Sequence, residues 1–305
     1  MLFRSSGGDG LGHLFVINPR TGDLIKDLTT PSCSATPVSS PCGLAQIAAY
    51  VDNTSLDNTT DFVYGGDLMG NVWRFDLTAA SSNSWSVSKF AVLKYAGGVT
   101  QTVTTTPLLA NISLSGAATR FVYVGTGQYL GDSDVSSTQT QTMYGLVDNT
   151  TTTLPDPLRS SLQVQTLTVS GSSSTITSNT VDYTTKKGWY VDLPNSGERA
   201  NTDPVLALGV LGFTTNIPST TVCIPGGSSW EYFLDYKTGG VAPGASIVGT
   251  FMGNALSSRI VLVQLPSGKV VALVRMSDAT TKASDVPLPP SGTGTSRISW
   301  REIFN

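Results

Sequence analysis

Asp61-Phe62-Val63-Tyr64-Gly65-Gly66-Asp67-Leu68-Met69-Gly70-Asn71-Val72-Trp73-Arg74-Phe75-Asp76-Leu77 reads as two strands joined by a tight Gly-Asn turn. β-Branched and aromatic residues fill both arms, and Gly70-Asn71 supplies the turn chemistry that a short hairpin needs. A hairpin with an aromatic and an Asp at the end of its second arm is common in propeller blades. A run of oxygen-bearing side chains stands directly upstream of it.

The same plan recurs outward in both directions. His13 to Lys26, Phe121 to Leu130, Met143 to Asp148, Gly188 to Leu193, Trp230 to Gly240 and Ile260 to Arg275 each give a β-branched or aromatic strand beside a turn rich in Gly, Asn, Pro or Thr. Asn18 with Thr21-Gly22, and Asp235 with Thr238-Gly239, repeat one turn device: a polar side chain bonds the turn backbone and Gly takes positive φ. Quinoprotein-type blades use that device, and so do ordinary hairpins. Long amphipathic helical periods are hard to find. The expected fold is therefore all-β, of blade or sandwich type; with the family resemblance given below, it is expected to be one β-propeller domain over 1–305 with quinoprotein-like blades, incomplete at its N-terminus. At roughly 40 to 50 residues per blade the length allows six or seven, and insertions reduce that count. Two excursions are expected. Ser170 to Thr185 is poor in apolar residues and reads as a mobile excursion or an exposed hairpin, and in 279–295 Pro287, Pro289 and Pro290 exclude a central strand.

Composition narrows the function. Charged residues are 13% of the chain and the formal charge is −3, so no basic field exists to hold a phosphate backbone and nucleic-acid binding is not expected. No run of about 18 apolar residues is present to span a bilayer as a transmembrane helix. Met1 to Gly8 has no apolar signal region and reads like the middle of a domain, which leaves a cytoplasmic protein or a fragment of a longer exported one. Cys33 and Cys42 flank a Pro/Ser-rich loop that a disulfide could close in an oxidising compartment, with Cys223 the odd residue. His13, the only histidine, is expected to face a turn and not a metal.

Asn53, Ser55, Asp57, Thr59 and Asp61 fall at positions 1, 3, 5, 7 and 9 of a calcium loop, where alternate residues turn hard oxygen inward. Asn58 stands where Gly is usual, and Tyr64 where a bidentate Glu would close the strict motif. Asp52 is a substitute ligand if the loop carries an extra residue. A solvated Asn/Thr-rich turn explains the same residues.

The string Gly66-Asp67-Leu68-Met69-Gly70-Asn71-Val72-Trp73-Arg74-Phe75-Asp76-Leu77 resembles the C-terminal propeller of the PilC/PilY family of type IV pilus tip proteins. Gly12 to Val16 with Thr21-Gly22, Phe121 to Leu130 followed by Gln139 to Gly145, Gly188 to Leu193 with Gly197-Glu198-Arg199, Phe213 to Pro218, Cys223 to Trp230, Tyr232 to Gly240 and Ile298 to Glu302 follow in family order. The resemblance implies an exported protein of the periplasm, outer surface and pilus tip. It also implies a calcium loop at Asn53 to Asp61, docking with pilin-like minor pilin subunits, and a part in pilus assembly, adhesion and twitching. The family's variable N-terminal region, the usual seat of adhesion, is not in this sequence. A non-enzymatic calcium-modulated docking propeller is the leading reading.

Two alternatives use the same architecture. A quinoprotein-type dehydrogenase would need a general base, for which Asp67 and Asp76 are the acids to inspect, and usually a Cys-Cys pair, which the chain lacks. A carbohydrate-binding propeller would draw on Trp73, Trp85, Trp189, Trp230 and Trp300 as stacking platforms, although most lie inside strand motifs that suit a core.

Overall fold

A computed structural model describes residues 2–6, 9–31, 42–55, 57–149, 152–219, 221 and 226–289. They form strands joined by turns and short 3-10 segments, with no α-helix among the described residues. The first sheet holds β1 (Leu2–Ser6), β2 (Gly12–Ile17) and β3 (Leu24–Thr29), and the second β4 (Ile47–Tyr50), β5 (Phe62–Gly66), β6 (Asn71–Asp76) and β7 (Ser86–Val92). The third holds β8 (Leu108–Leu114), β9 (Ala117–Gly125) and β10 (Thr142–Asp148). An inserted pair, β11 (Gln163–Ser170) and β12 (Ser173–Ile176), precedes its last strand, β13 (Gly188–Asp192). The fourth comprises β14 (Val205–Ala207), β15 (Val210–Pro218), β16 (Gly227–Asp235) and β17 (Gly249–Gly253). The fifth comprises β18 (Val261–Gln264), β19 (Val270–Arg275) and β20 (Thr281–Asp285).

The period of two explains how these sheets stack. Successive side chains of a strand leave on opposite faces, and in the second, third and fourth sheets both faces are buried. Val63, Trp73 and Phe75 of the second sheet pack with Leu14 and Leu28 of the first. Their neighbours Phe62, Tyr64 and Val72 pack with Val122, Val124, Tyr144 and Leu146 of the third. Phe121, Tyr123 and Trp189 then meet Leu211, Phe213 and Tyr232 of the fourth, while Val210 and Phe233 face Ala272 and Val274 of the fifth. The second, third and fourth sheets are thus each one slice between two apolar layers, and the first and fifth border one such layer, the packing of successive propeller blades. Full burial of each large side chain contributes roughly 1.5–3 kcal/mol, so these layers dominate the stability.

The blade count departs from the length-based expectation. Five blade sheets occur among the described residues, and much of the difference lies in the chain between β10 and β13. There β11 pairs parallel to β13 while β12 pairs antiparallel to β17, so the insertion laces the outer strands of the third and fourth sheets into one ten-stranded sheet. The Ser170 to Thr185 region therefore begins as a paired hairpin. In 279–295, Thr281–Asp285 is an exposed strand paired with β19 alone, and the prolines follow it. His13 sits within β2, its ring between the carboxylate of Asp9, in the turn that precedes the strand, and that of Asp27. Cys42 is disulfide-bonded. Cys33 and Cys223 lie outside the described residues.

Candidate metal loop

The hairpin that decides the fold is built around one carboxylate. Asp67 is fully buried, and its Oδ1 accepts the Met69 and Asn71 amides at 2.9 Å each. Its Oδ2 accepts Asn71 Nδ2 and Trp73 Nε1 at 2.8 Å each. Burial raises the Asp67 carboxyl above the usual carboxylate range, and the four donors offset part of that rise. Gly70 completes the turn at φ +77°, where a Cβ would lie 2.6 Å from the Leu93 carbonyl oxygen and 2.7 Å from that of Gln101. Asp76 accepts the Thr78 amide and hydroxyl. Asp67 and Asp76 are turn-forming acceptors, which removes the two acids considered as a general base.

The loop between β4 and β5 emerges from the same sheet. Its neck is closed by the backbone, with the Asp61 amide on the Tyr50 carbonyl and the Leu77 amide on the Asp61 carbonyl, both at 2.9 Å. Within it, Asn53 Oδ1 accepts the Ser55 amide (3.1 Å) and Asp57 Oδ1 the Thr59 amide (2.9 Å), while Asp61 Oδ2 accepts the Asp52 amide (2.7 Å). These local bonds curl the chain as short polar side chains do in Asx turns. The donors of Asn53, Ser55, Asp57, Thr59 and Asp61 are all hard oxygen, a set that fits calcium and not zinc. Asp57 Oδ2 and Asp61 Oδ1 accept none of the hydrogen bonds that occupy their partner oxygens. Among the described residues, no three His, Cys, Asp or Glu side chains converge as a metal cluster.

Beneath the loop lies an ion cluster that joins the second and third sheets. Asp148, whose side chain is fully buried at the end of β10, accepts Arg74 Nη1 at 2.7 Å and the Tyr64 hydroxyl. Arg120 on β9 donates to Tyr64 Oη (2.9 Å) and to Asp52 Oδ1 (2.5 Å), with Asp148 Oδ2 at 3.6 Å. Its guanidinium also lies over the rings of Tyr50 and Phe62, 4.4 and 4.0 Å from their centroids. Burial and the adjacent Asp148 push the Tyr64 phenol up. Burial alone would lower Arg120, but Tyr64 and Asp52 outweigh it and hold the guanidinium above its ordinary value.

Sequence reasoning found the loop and missed this cluster. Its signal was a buried charged residue in each of three mostly apolar strands, Arg74, Arg120 and Asp148. Three of the tryptophans fall in the core. Trp73, Trp189 and Trp230 are buried, Trp85 is half-buried with its indole on the Ala79 carbonyl, and Trp300 lies outside the described residues. The three buried rings cannot serve as sugar platforms.

Stacked antiparallel blades with an acid-locked hairpin turn define a β-propeller domain. The family model of the PilY1 beta-propeller domain matches residues 4–180, and the chain belongs to that family. It is 30% identical over 261 residues to a type IV pilus biogenesis factor PilY1 homolog of Xylella fastidiosa, covering 77% of this chain and 17% of that protein. It is also 30% identical over 278 residues to the type IV pilus biogenesis factor PilY1 of Pseudomonas aeruginosa, covering 74% and 23%. The chain thus spans about a fifth of the length of these relatives. The crystal structure of the Pseudomonas aeruginosa PilY1 C-terminal domain superposes with a TM-score of 0.77 over 94% of this chain and 69% of that one, at 22% identity, a likeness of fold. The family is one of exported, pilus-associated biogenesis factors and not of enzymes.

Proposed function

We propose that this chain is the propeller through which a type IV pilus biogenesis factor docks with pilin-like minor pilin subunits at the pilus tip. Docking there supports assembly, adhesion and twitching, with the loop at Asn53 to Asp61 as its calcium-responsive element. The observation that carries this reading is the all-oxygen loop closed directly onto the family's hairpin, with both stems fixed against the neighbouring sheet. Asp57 and Asp61, with Asn53, Ser55 and Thr59, would hold the ion, which supplies positive charge and no redox or acid–base chemistry. The Asp57 and Asp61 carboxylates repel in its absence, so the ordered loop is favoured by mass action as the cation fills it.

The test is direct binding of the purified propeller to the soluble domains of the pilin-like subunits made by the same cell, by biolayer interferometry in millimolar calcium. Saturable binding to at least one of them, and none to an unrelated pilin, is expected. Absence of binding to every subunit would contradict the docking role.

A further inference from the structure

We propose that Asp52 is a metal-independent tether that fastens the loop to the third sheet through Arg120, and that it stands outside the ligand set of any cation the loop takes. The second half of this statement rests on the calcium reading; the first does not. A single buried guanidinium touches both stems of the loop. Tyr50 is the last residue of β4, Phe62 the first of β5, and the Arg120 guanidinium lies over both rings while it donates to Asp52 between them. Asp52 is engaged at both its ends. Its carboxylate holds Arg120 and its amide donates to Asp61 Oδ2, so the neck of the loop and the neighbouring sheet meet in one residue.

Charge counting shows why Asp52 stays with Arg120. Arg74 and Arg120 both face Asp148, one carboxylate for two guanidinium groups. Asp52 supplies the second negative charge. Drawing it toward a cation would leave the Arg120 side chain, 4% exposed, to share Asp148 with Arg74, two buried guanidinium groups on one carboxylate, and removing a partner from such a buried cluster is costly even though the Asp52 carboxylate itself is half exposed. Spacing alone allowed Asp52 as a substitute ligand; the Arg120 contact assigns it the other role. The tether also makes the loop and the interface between the second and third sheets a coupled pair, so whatever orders one orders the other by the same factor.

Hydrogen exchange and thermal unfolding of the wild-type chain, Asp52→Asn and Asp52→Glu decide the matter, each with chelator and with calcium. In chelator, Asp52→Asn should speed exchange of the Ser55, Asp57 and Thr59 amides about tenfold, the loss of one charge-assisted hydrogen bond, while amides of β19 stay unchanged. Asp52→Glu, which keeps the charge, should recover most of that protection. The calcium-dependent rise in melting temperature should be as large in Asp52→Asn as in wild type. Unchanged loop exchange in Asp52→Asn would overturn the tether, and loss of the calcium shift in that variant would make Asp52 a ligand. A wild-type chain with no calcium shift would sink the calcium reading, while the exchange in chelator would still decide the tether.

Discussion

The Trp73 indole donates to Asp67 Oδ2 at 2.8 Å across the turn that joins β5 and β6, so the aromatic of the second arm and the acid at the end of the first are halves of one hydrogen-bonded unit. All four donors on Asp67 are N–H groups, which only a carboxylate accepts without conflict. Asp67→Asn would turn an amide NH₂ against one pair of them and should cost on the order of 2–3 kcal/mol. Trp73→Phe keeps most of the ring and removes one donor, and should cost roughly half as much. Urea unfolding of the three proteins measures both, and equal stabilities would refute this account of the turn.

Gly70 and Gly22 separate strain from crowding. Both have positive φ, near +77° and +80°, but a Cβ at Gly22 meets nothing within 4 Å while one at Gly70 runs into two carbonyl oxygens. Gly22→Ala should therefore cost only the left-handed penalty, about 1–2 kcal/mol. Gly70→Ala must also displace the Leu93 and Gln101 backbone, and should cost at least about twice that. Equal losses in thermal unfolding would show that the second sheet yields at that point.

The buried and exposed ion pairs should behave differently. Asp148→Asn leaves Arg74 and Arg120 facing each other around a neutral group, and should destabilise by about 3–5 kcal/mol. Lys94 and Asp156 make a pair at 2.6 Å, no longer than the buried Arg74–Asp148 pair, but on the surface, and Lys94→Ala should cost less than about 1 kcal/mol. Denaturant midpoints on the two variants check the contrast.

His13 gives the fold a pH dependence of known sign. Burial lowers its pKa, but the Asp27 and Asp9 carboxylates outweigh burial and raise it above the ordinary histidine value. A raised pKa means that the ion pairs contribute fully below the unfolded value of about 6.5 and are lost as pH rises through the folded one. The melting temperature of wild type should therefore fall more between pH 6 and pH 8.5 than that of His13→Gln. Parallel profiles would show that the ring makes no charged contact in solution.

How much of this was legible depended on whether the signal was local. The hairpin at Phe62 to Asp76 and the turns at Gly22 and Gly239 were readable, because period-two alternation and glycine at positive φ act over a few residues. The loop was readable as a pattern of oxygen donors. Its anchor was not, since Arg120 lies 68 residues from Asp52 and alternation reports only that it is buried. The second partner of His13 was hidden for the same reason: the Asp27 carboxylate comes from the next strand. The lacing of two sheets by β11 and β12 depends on a parallel pairing, which no turn residue announces.

The most direct test of a calcium-tuned docking propeller is the affinity of the purified chain for its pilin-like subunit in calcium and in chelator, for wild type and for Asp57→Ala with Asp61→Ala. Calcium should tighten binding by wild type about tenfold, a coupling of about 1.4 kcal/mol, and leave the double variant at its chelator value. The same affinity for both proteins in both conditions would contradict calcium control and leave the loop an ordinary turn held in place by Arg120.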